Sequence, residues 1–319
     1  MKKRISVLFF LISLIFCLTG CEKSSTSGTE QTKKNQKLTI VATLFPQYDF
    51  ARQIAGDQAD VILLLPPGME SHSYEPTPGD MITIQESDLF LYTGDEMEPW
   101  AANIVTNLPD HTLTANLSDG IQLEKEEEQE DHEEHHREEE HHHTYNPHIW
   151  TSPVLAMKMV ENIEQALIQA DPDHASFYQE NTQAYLKKLS HLDGEFRDIA
   201  ANAKSKTLFI GSRFSLFYFV EEYGFSYVAA YDSCEEEAEP SIKRVISMIQ
   251  EMRKNKIHAI YYEELTNPRI ANTIAEATDA KPLLFHSCHN VSKDELGQGV
   301  TYLSLMEQNV KNLKKGLEE

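Results

Sequence analysis

The stretch 38–55, LTIVATLFPQYDFARQIA, contains the unit from which the rest of the fold is built. It begins with Leu38–Ala42, a short apolar run of the kind that forms a buried strand. From Pro46 to Ala55 the apolar residues Phe50 and Ile54 recur at helical spacing, and a proline is accepted in the first turn of a helix. The stretch therefore predicts a strand that leads directly into a helix.

The same unit recurs along the chain. Further short apolar runs are followed in most cases by a polar or Gly/Pro loop and then by a helical pattern. These candidate strands are Val61–Leu65, Leu89–Thr93, Thr112–Asn116, Thr207–Gly211, Tyr227–Ala230, Ala259–Tyr262 and Pro282–Phe285. Repeated alternation of strands and helices favours an α/β fold with parallel sheets that are covered on both faces.

Two longer helical patterns separate the two groups of strands. The first is capped by Ser152 and Pro153 and runs to about Gln169. The second, over Pro172–Lys204, has Gly194 as its single glycine and keeps an apolar helical stripe through Phe177, Tyr185, Leu189, Leu192, Phe196 and Ile199. We expect this second pattern to form one long helix between two α/β lobes.

The N-terminus has the features of an export signal. Three basic residues precede an almost wholly apolar run, Ile5–Leu18, which ends in Leu18-Thr19-Gly20-Cys21. This ending resembles the bacterial lipobox, in which the cysteine is acylated and becomes the first residue after cleavage. We expect residues 1–20 to be the signal peptide, Cys21 to carry the lipid, and the polar residues 21–37 to be a flexible tether. An uncleaved anchor helix is the alternative.

The overall charge restricts the partners. The formal net charge of −23 excludes nucleic acid, whose phosphates such a chain would repel, and favours cations. No later run reaches the about 18 apolar residues that a membrane helix needs. We expect a monomer held by its N-terminal diacylglycerol cysteine on the outer face of the cytoplasmic membrane, on the extracellular side.

An acidic, histidine-rich segment interrupts the first half. The range Glu124–His143 contains ten glutamates, one aspartate and six histidines, with no aliphatic or aromatic residue. Such a segment cannot bury enough surface to offset its ordering entropy, so we expect a mobile loop. Imidazole is a common metal ligand, and we expect weak metal collection by His132, His135, His136, His141, His142 and His143. An acidic solvated insert is the alternative.

Four other histidines lie in short loops at strand ends or helix starts. His72 lies in PPGMESHSYEPTPGD (66–80), His148 in NPHIWTSP (146–153), and both His286 and His289 in FHSCHN (285–290). Such loops meet at the carboxyl edge of parallel sheets, where ligands bind. Zinc takes about four N, S or O ligands at roughly 2 Å, so loops converging on one cleft could hold it.

At these residues the chain resembles the metal-binding lipoproteins of ABC importers for zinc and manganese. The motifs are PPGMESHSYEPTPGD with Leu89–Gly94, the insert ending in NPHIWTSP, EEAEPS (236–241) and GVTYLSLMEQNVKNL (299–313). The resemblance implies two Rossmann-like lobes, each a mostly parallel sheet with flanking helices, joined by a long backbone helix. It also implies a metal site in the cleft between the lobes, a permease and a cytoplasmic ATPase. The lobes would be residues 38–171 and 205–319, with 172–204 as the linking helix.

The resemblance also implies the ligands of one tight site. His72 and His148 match the two histidines of the family's first lobe. His289 falls at the family's last, acidic ligand when the count runs back from Tyr302, and His286 is the alternative. The family's third ligand is replaced here by Ser212-Arg213-Phe214, which offers no good zinc ligand. Water, the second histidine of the C-terminal lobe or Glu70 could fill that position.

The remaining questions concern the ion, the cysteines and rival functions. An imidazole-rich site favours Zn²⁺, with Mn²⁺ as the alternative because it prefers carboxylates. Cys234 and Cys288 are an even pair in an oxidising compartment. They could form a disulfide, or they could remain two free thiols, one of which binds zinc.

A secreted zinc hydrolase is disfavoured because the chain has no Gly-x-Ser-x-Gly turn. We therefore expect that the protein is not an enzyme. A surface metal buffer or adhesin without a transporter remains an alternative to import.

Overall fold

In the computed structural model, which describes residues 37–125, 145–231 and 240–318, eight strands form two four-stranded sheets. All strand pairs are parallel, as the alternating pattern predicts. The first sheet has the order β2-β1-β3-β4, with β1 Leu38–Ala42, β2 Ala59–Leu63, β3 Leu89–Tyr92 and β4 Leu113–Asn116. The second has the order β6-β5-β7-β8, with β5 Thr207–Ile210, β6 Ser226–Ala229, β7 Ala259–Tyr262 and β8 Lys281–Leu284.

Helices follow most strands and cover the sheets. In chain order they are α1 Phe45–Ala55, α2 Pro78–Glu86, α3 Pro99–Val105, α4 Pro153–Ala170, α5 Ala175–Asn202, α6 Phe217–Tyr223, α7 Ile242–Asn255, α8 Arg269–Thr278, α9 Lys293–Gln298 and α10 Tyr302–Glu318. Short 3₁₀ turns lie at Gly56–Gln58, Ile149–Thr151 and Pro172–His174. The two-lobed α/β fold predicted from the sequence is confirmed.

The start of α4 is determined by its own sequence. The Ser152 hydroxyl accepts a hydrogen bond from the backbone N–H of Leu155 at 3.3 Å, and Pro153 occupies the first turn. Buried side chains then recur every three or four residues, which places one apolar face on the core, at Ala156, Met159, Val160, Ile163 and Leu167. His148 lies just before this cap.

The long helix is confirmed, but it is shorter than the sequence predicts. Pro172–His174 forms a separate 3₁₀ turn, and α5 covers Ala175–Asn202 rather than 172–204. The Asp171 carboxylate accepts hydrogen bonds from His174 Nδ1 and the Tyr178 hydroxyl, so this turn has side-chain partners of its own. α5 packs against α1, α4 and α10, and a single hydrophobic core includes residues of both sheets.

Strand β2 also differs from its prediction. The apolar run Val61–Leu65 predicts a strand there, whereas β2 covers Ala59–Leu63. Pairing with β1 begins at Ala59, opposite Leu38, so the strand is defined by register rather than by where the apolar run starts. The backbone N–H of Leu64 still donates to the carbonyl of Ala42. The chain then continues into the loop that contains His72.

Buried hydrogen bonds tie the loops of the two sheets together. The Trp150 indole N–H donates to the carbonyl of Ser287 at 2.9 Å, and the Tyr302 hydroxyl donates to the carbonyl of Trp150 at 2.7 Å. The side-chain amide of Asn290 donates to the carbonyl of Pro66 at 2.8 Å. These contacts join segments far apart in sequence, so the cleft between the sheets is built from fixed loops.

Several predicted features fall outside the described residues. They are the signal peptide 1–20, Cys21, the tether to residue 36, the insert from 126 to 144, and Cys234. Lys37–Glu319 forms one compact unit, so the predicted lobe boundaries stay predictions. Within the described ranges, no helix has both the length and the apolar character that crossing a bilayer requires.

Substitution by alanine should have opposite effects on stability at two of the glycines. Gly211 follows β5, and a Cβ there would lie 2.7 Å from the Cα of Ala271 in α8. Gly194 lies in α5 with open space around it. We expect Gly211→Ala to lower the free energy of unfolding by about 1–3 kcal/mol through overpacking against backbone. Gly194→Ala should raise it by about 0.5–1 kcal/mol because alanine favours helix.

Urea unfolding of both variants beside the unchanged chain measures these shifts. Equal effects of the two substitutions would contradict the close approach of β5 and α8.

Candidate metal centre

Three of the four loop histidines meet in the cleft. Ligand nitrogens of His72, His148 and His289 all lie within 4.8 Å of one another. The Nε2 atoms of His72 and His148 are 3.3 Å apart, and the ring centroids of His148 and His289 are 4.5 Å apart. Nitrogens placed about 2 Å from one tetrahedral ion lie roughly 3.3 Å apart, so this spacing suits a shared metal.

Each histidine comes from a different loop. His72 follows β2, His148 begins the 3₁₀ turn before α4, and His289 follows β8. These are strand ends and a helix start, where ligands bind in parallel α/β folds. Trp150 packs its ring edge-on to both His148 and His289, with centroid distances of 5.6 Å and 4.9 Å, and so forms one wall of the site.

Asn146 determines the orientation of His148. Its side-chain oxygen accepts from the backbone N–H of His148 at 3.0 Å and lies 2.9 Å from His148 Nδ1. Because an amide oxygen only accepts, we assign the imidazole proton to Nδ1. The Nε2 lone pair then faces His72, and the fully buried ring has a fixed tautomer.

His289 is oriented by Ser287 and Glu264. The Ser287 hydroxyl donates to the Glu264 carboxylate at 2.7 Å and lies 2.8 Å from His289 Nδ1. Since the hydroxyl proton is used by Glu264, the Ser287 oxygen accepts the Nδ1 proton of His289. Carboxylate, hydroxyl and imidazole thus form a chain that turns the His289 Nε2 lone pair away from Ser287.

The lone pair of His289 fits a metal. Although His289 is partly exposed, its Nε2 atom is buried and has no hydrogen-bond partner among the described residues. Burial lowers the pKa of His289 well below its usual value, and the nearby charges of His72, Arg213 and His286 lower it further. The ring is therefore neutral at pH 7, which is the form that binds metal ions.

His286 lies outside this group of three. Its Nδ1 accepts from the backbone N–H of Cys288 at 3.0 Å, and its Nε2 is 3.8 Å from Glu295 Oε1, too far for a hydrogen bond. The ring is 2% exposed and is held by its own loop. Of the two histidines that the sequence leaves as alternatives, His289 is the one beside His72 and His148.

An ion pair lies where the resemblance implies a third ligand. Arg213 Nη2 lies 2.8 Å from Glu70 Oε2, so the cation pairs with Glu70. The Ser212 hydroxyl donates to the carbonyl of Arg213 and accepts from the backbone N–H of Glu263. A cavity of about 200 Å³ opens here, lined among others by Glu70, His72, Arg213 and His289.

Sequence reasoning missed the residues that support the histidines. Glu263 and Glu264 directly follow β7, so the rule that identified the histidine loops also points to them. Asn146 lies two residues before His148, a spacing at which asparagine caps its own backbone. Ser287 has no such signal, because its role depends on the fold of the loop.

Glu263 is a buried acid at the wall of the cavity. Its carboxylate accepts from the backbone N–H of Ser215 at 3.0 Å and from the Ser215 hydroxyl at 2.8 Å. Burial, with the charge of Glu264 adding to it, raises the pKa of Glu263 to about 8. It is therefore mainly protonated at pH 7, so the cavity wall carries less negative charge than its residues suggest.

Cys288 lies in the core rather than among the ligand nitrogens. It is fully buried, and its Sγ is 3.8 Å from the carbonyl oxygen of His286. Burial raises the pKa of the Cys288 thiol well above its usual value, which disfavours the thiolate that zinc would require. Cys234 lies outside the described residues, so the Cys234–Cys288 disulfide stays a prediction.

Two parallel sheets with flanking helices, a long helix and a cluster of three imidazoles define a two-lobed metal-binding protein. A family model described as ZnuA, zinc-uptake complex component A, periplasmic, matches residues 40–316. The High-affinity zinc uptake system protein ZnuA of Bacillus subtilis (strain 168) is 36% identical over 318 residues, which is 99% of each chain. This chain belongs to the ZnuA family. Substrate-binding proteins of this family carry metal ions and are not enzymes.

Other relatives extend the comparison. The Zinc-binding lipoprotein AdcA of Streptococcus pneumoniae (strain ATCC BAA-255 / R6) is 34% identical over 318 residues, which is 99% of this chain and 62% of AdcA. The crystal structure of the Zn(II)-bound ZnuA-like domain of that species' AdcA has a TM-score of 0.75 at 31% identity, covering 89% of this chain and 100% of that chain. This chain therefore spans less than two thirds of AdcA but nearly all of the Bacillus protein.

The first prediction for the site concerns Asn146. Asn146→Ala removes the acceptor that orients His148, so we expect zinc affinity to fall about 10–100-fold. Asn146→Asp retains an acceptor oxygen and should stay closer to the unchanged chain. Competition with a coloured chelator measures both affinities. Equal losses in the two variants would show that the acceptor atom is not what matters.

The second prediction follows from the raised pKa of Glu263. The carboxyl keeps its proton in the folded state up to about pH 8 but loses it near pH 4.5 when unfolded. The free energy of unfolding therefore falls as pH rises from about 4.5 to about 8. Glu263→Gln cannot ionise, so we expect a shallower slope and greater stability than the unchanged chain at pH 8.

Urea unfolding at pH 5, 6.5 and 8 in the presence of a chelator measures this slope. The matched control is Glu276→Gln, which changes an exposed carboxylate on α8. Parallel stability curves for Glu263→Gln and the unchanged chain would contradict the buried, protonated acid.

Proposed function

We propose that this protein captures Zn²⁺ outside the cytoplasmic membrane and delivers it to the permease of an ABC importer. The observation that carries the proposal is the group of three ligand nitrogens within 4.8 Å, from His72, His148 and His289. The ZnuA and AdcA relatives, named for zinc uptake and zinc binding, support the choice of cargo. We assign the tight site to these three histidines, with His289 rather than His286 as the ligand from the last loop.

The donor set favours zinc over manganese. All three ligands are imidazole nitrogens, which suit zinc, whereas manganese prefers carboxylate and other oxygen ligands. Hydrogen bonds from His148 to Asn146 and from His289 to Ser287 keep the Nε2 lone pairs of these two ligands directed at the ion before it arrives. Because less order must be created on binding, a preorganised site of this kind binds one equivalent tightly.

The place of capture follows from the N-terminus. We propose that the chain is a monomeric lipoprotein, anchored through Cys21 on the outer face of the cytoplasmic membrane. The lipobox-like Leu18-Thr19-Gly20-Cys21 supports the anchor, and AdcA is itself named a lipoprotein. Within this arrangement we propose that the histidines of the insert collect metal weakly.

A role as a surface metal buffer or adhesin without a transporter would use the same site. Genes for a permease and an ATPase beside this one would favour import. Catalysis finds little support: a His-Glu-x-x-His spacing does occur, at His132–His136, but it lies in the acidic insert. Zinc proteases place that motif on a helix, and the insert lacks the apolar face that would bury one.

The test is zinc titration of the full mature chain purified without a histidine tag. We expect His72→Ala and His148→Ala each to abolish tight binding of one equivalent, a loss larger than the about 10–100-fold typical of residues that only support a ligand. His191→Ala is the matched control, because that side chain is 80% exposed on α5.

Chelator competition separates the tight site from weak binding by the insert, and circular dichroism checks that the variants fold. If either His72→Ala or His148→Ala titrates like the unchanged chain, the ligand assignment is wrong.

A further inference from the structure

Three histidines leave one position on a zinc ion to be filled. Zinc in proteins usually takes four ligands, and no fourth His, Cys, Asp or Glu of the described residues joins the group of three. The nearby cavity of about 200 Å³ is where a fourth ligand would approach. The inference below rests on the proposed zinc function and concerns the residue that completes the site.

Glu70 is held at the edge of this cavity by two contacts. Its Oε1 accepts from the backbone N–H of His72 at 3.1 Å, and its Oε2 lies 2.8 Å from Arg213 Nη2. The carboxylate is therefore already tied to the loop that carries one histidine ligand. Glu70, His72 and His289 line the same cavity, so the carboxylate and two of the imidazoles face a common space.

Arg213 cannot serve as a ligand itself. A guanidinium has five N–H donors and no lone pair to give, and as a cation it repels a nearby Zn²⁺. An arginine at this position is compatible with tight zinc binding only if it acts through an anion, and the anion that it contacts is Glu70.

We propose that Glu70 is the fourth zinc ligand and that Arg213 is the residue that positions it. One carboxylate oxygen binds the ion while the other keeps its contact with Arg213. Carboxylates bind zinc at about 2.0–2.2 Å, and ligating carboxylates are commonly held by a second hydrogen bond. The side chains of Glu70 and Arg213 are 34% and 22% exposed, so neither is locked in place by surrounding packing.

In the alternative arrangement, the ion pair with Arg213 prevents Glu70 from binding the metal, and a water molecule is the fourth ligand. The two arrangements predict opposite signs for Arg213→Gln. Removing a residue that positions a ligand lowers zinc affinity, whereas removing a cation that only repels the ion or withholds a carboxylate raises it. The sign of one measurement therefore distinguishes them.

The experiment measures zinc affinity by chelator competition on the full mature chain. We expect Glu70→Gln to lower affinity about 10–100-fold and Arg213→Gln to lower it about tenfold. In the Glu70→Gln background, Arg213→Gln should no longer lower affinity, because the residue it positions is gone. Glu75→Gln is the matched control: it removes an exposed carboxylate from the same loop and should leave affinity unchanged.

A second readout tests direct ligation. Glu70→Ala leaves space beside Arg213, so added acetate should restore its zinc affinity in a concentration-dependent way. The double variant Glu70→Ala/Arg213→Gln should not be rescued, and formate should act as acetate does. If Glu70 only stabilised the loop, neither acetate nor formate would restore the zinc affinity of Glu70→Ala.

The outcomes are separable. Glu70→Gln that binds zinc like the unchanged chain, or Arg213→Gln that binds it more tightly, overturns this proposal. Failure of the proposed function would show instead as an unchanged chain without a tight site, or as normal binding by His148→Ala. Three results together support the proposal. Glu70→Gln lowers zinc affinity, Arg213→Gln lowers it less, and acetate restores the zinc affinity of Glu70→Ala.

Discussion

The hydrogen bonds at the Nδ1 atoms of His148 and His289 are the interactions on which the proposed metal site depends. A neutral imidazole has one donor and one acceptor nitrogen, so a partner that takes the Nδ1 proton leaves Nε2 free to bind an ion. Asn146 does this for His148, and Ser287 with Glu264 does it for His289. Without these acceptors the rings could present the wrong nitrogen, and the spacing of the loops would be of no use.

The fold supplies the acceptors because its loops are fixed across the cleft. Trp150 and Tyr302 hydrogen-bond to backbone carbonyls of segments distant in sequence, and Asn290 reaches the loop before His72. These bonds satisfy buried polar groups that would otherwise be costly, and they leave the histidines little freedom. The long helix α5 packs against α1, α4 and α10, and one hydrophobic core includes residues of both sheets, so the site lies within a single packed unit.

The charges around the site are balanced more closely than the composition suggests. The chain is strongly acidic, yet the cavity contains a cation, Arg213, whose charge is offset by Glu70, and an acid, Glu263, that burial keeps largely protonated. A site with three neutral ligands has no charge of its own to offset a divalent ion. The carboxylates nearby therefore matter for affinity, and their pairing determines how much of their charge reaches the ion.

Much of this protein can be predicted from its sequence, because the deciding signals are local. Apolar runs and helical spacing predicted all eight strands of the described residues and the long helix. Loops at strand ends and helix starts predicted four candidate histidines, of which His72, His148 and His289 lie together. Strand limits such as that of β2 could not be predicted, because register depends on the neighbouring strand.

Only the tertiary structure shows that His289, and not His286, lies beside His72 and His148. The two rings are three residues apart in one loop, and their environments differ only after the chain folds: His286 meets Cys288, while His289 meets Ser287. The pairing of Arg213 with Glu70 likewise joins loops from different sheets. Contacts between segments so distant in sequence produce no periodic pattern in either segment. The sequence therefore determined the helices, the strands and the candidate ligands, and the fold determined which candidate ligands lie together.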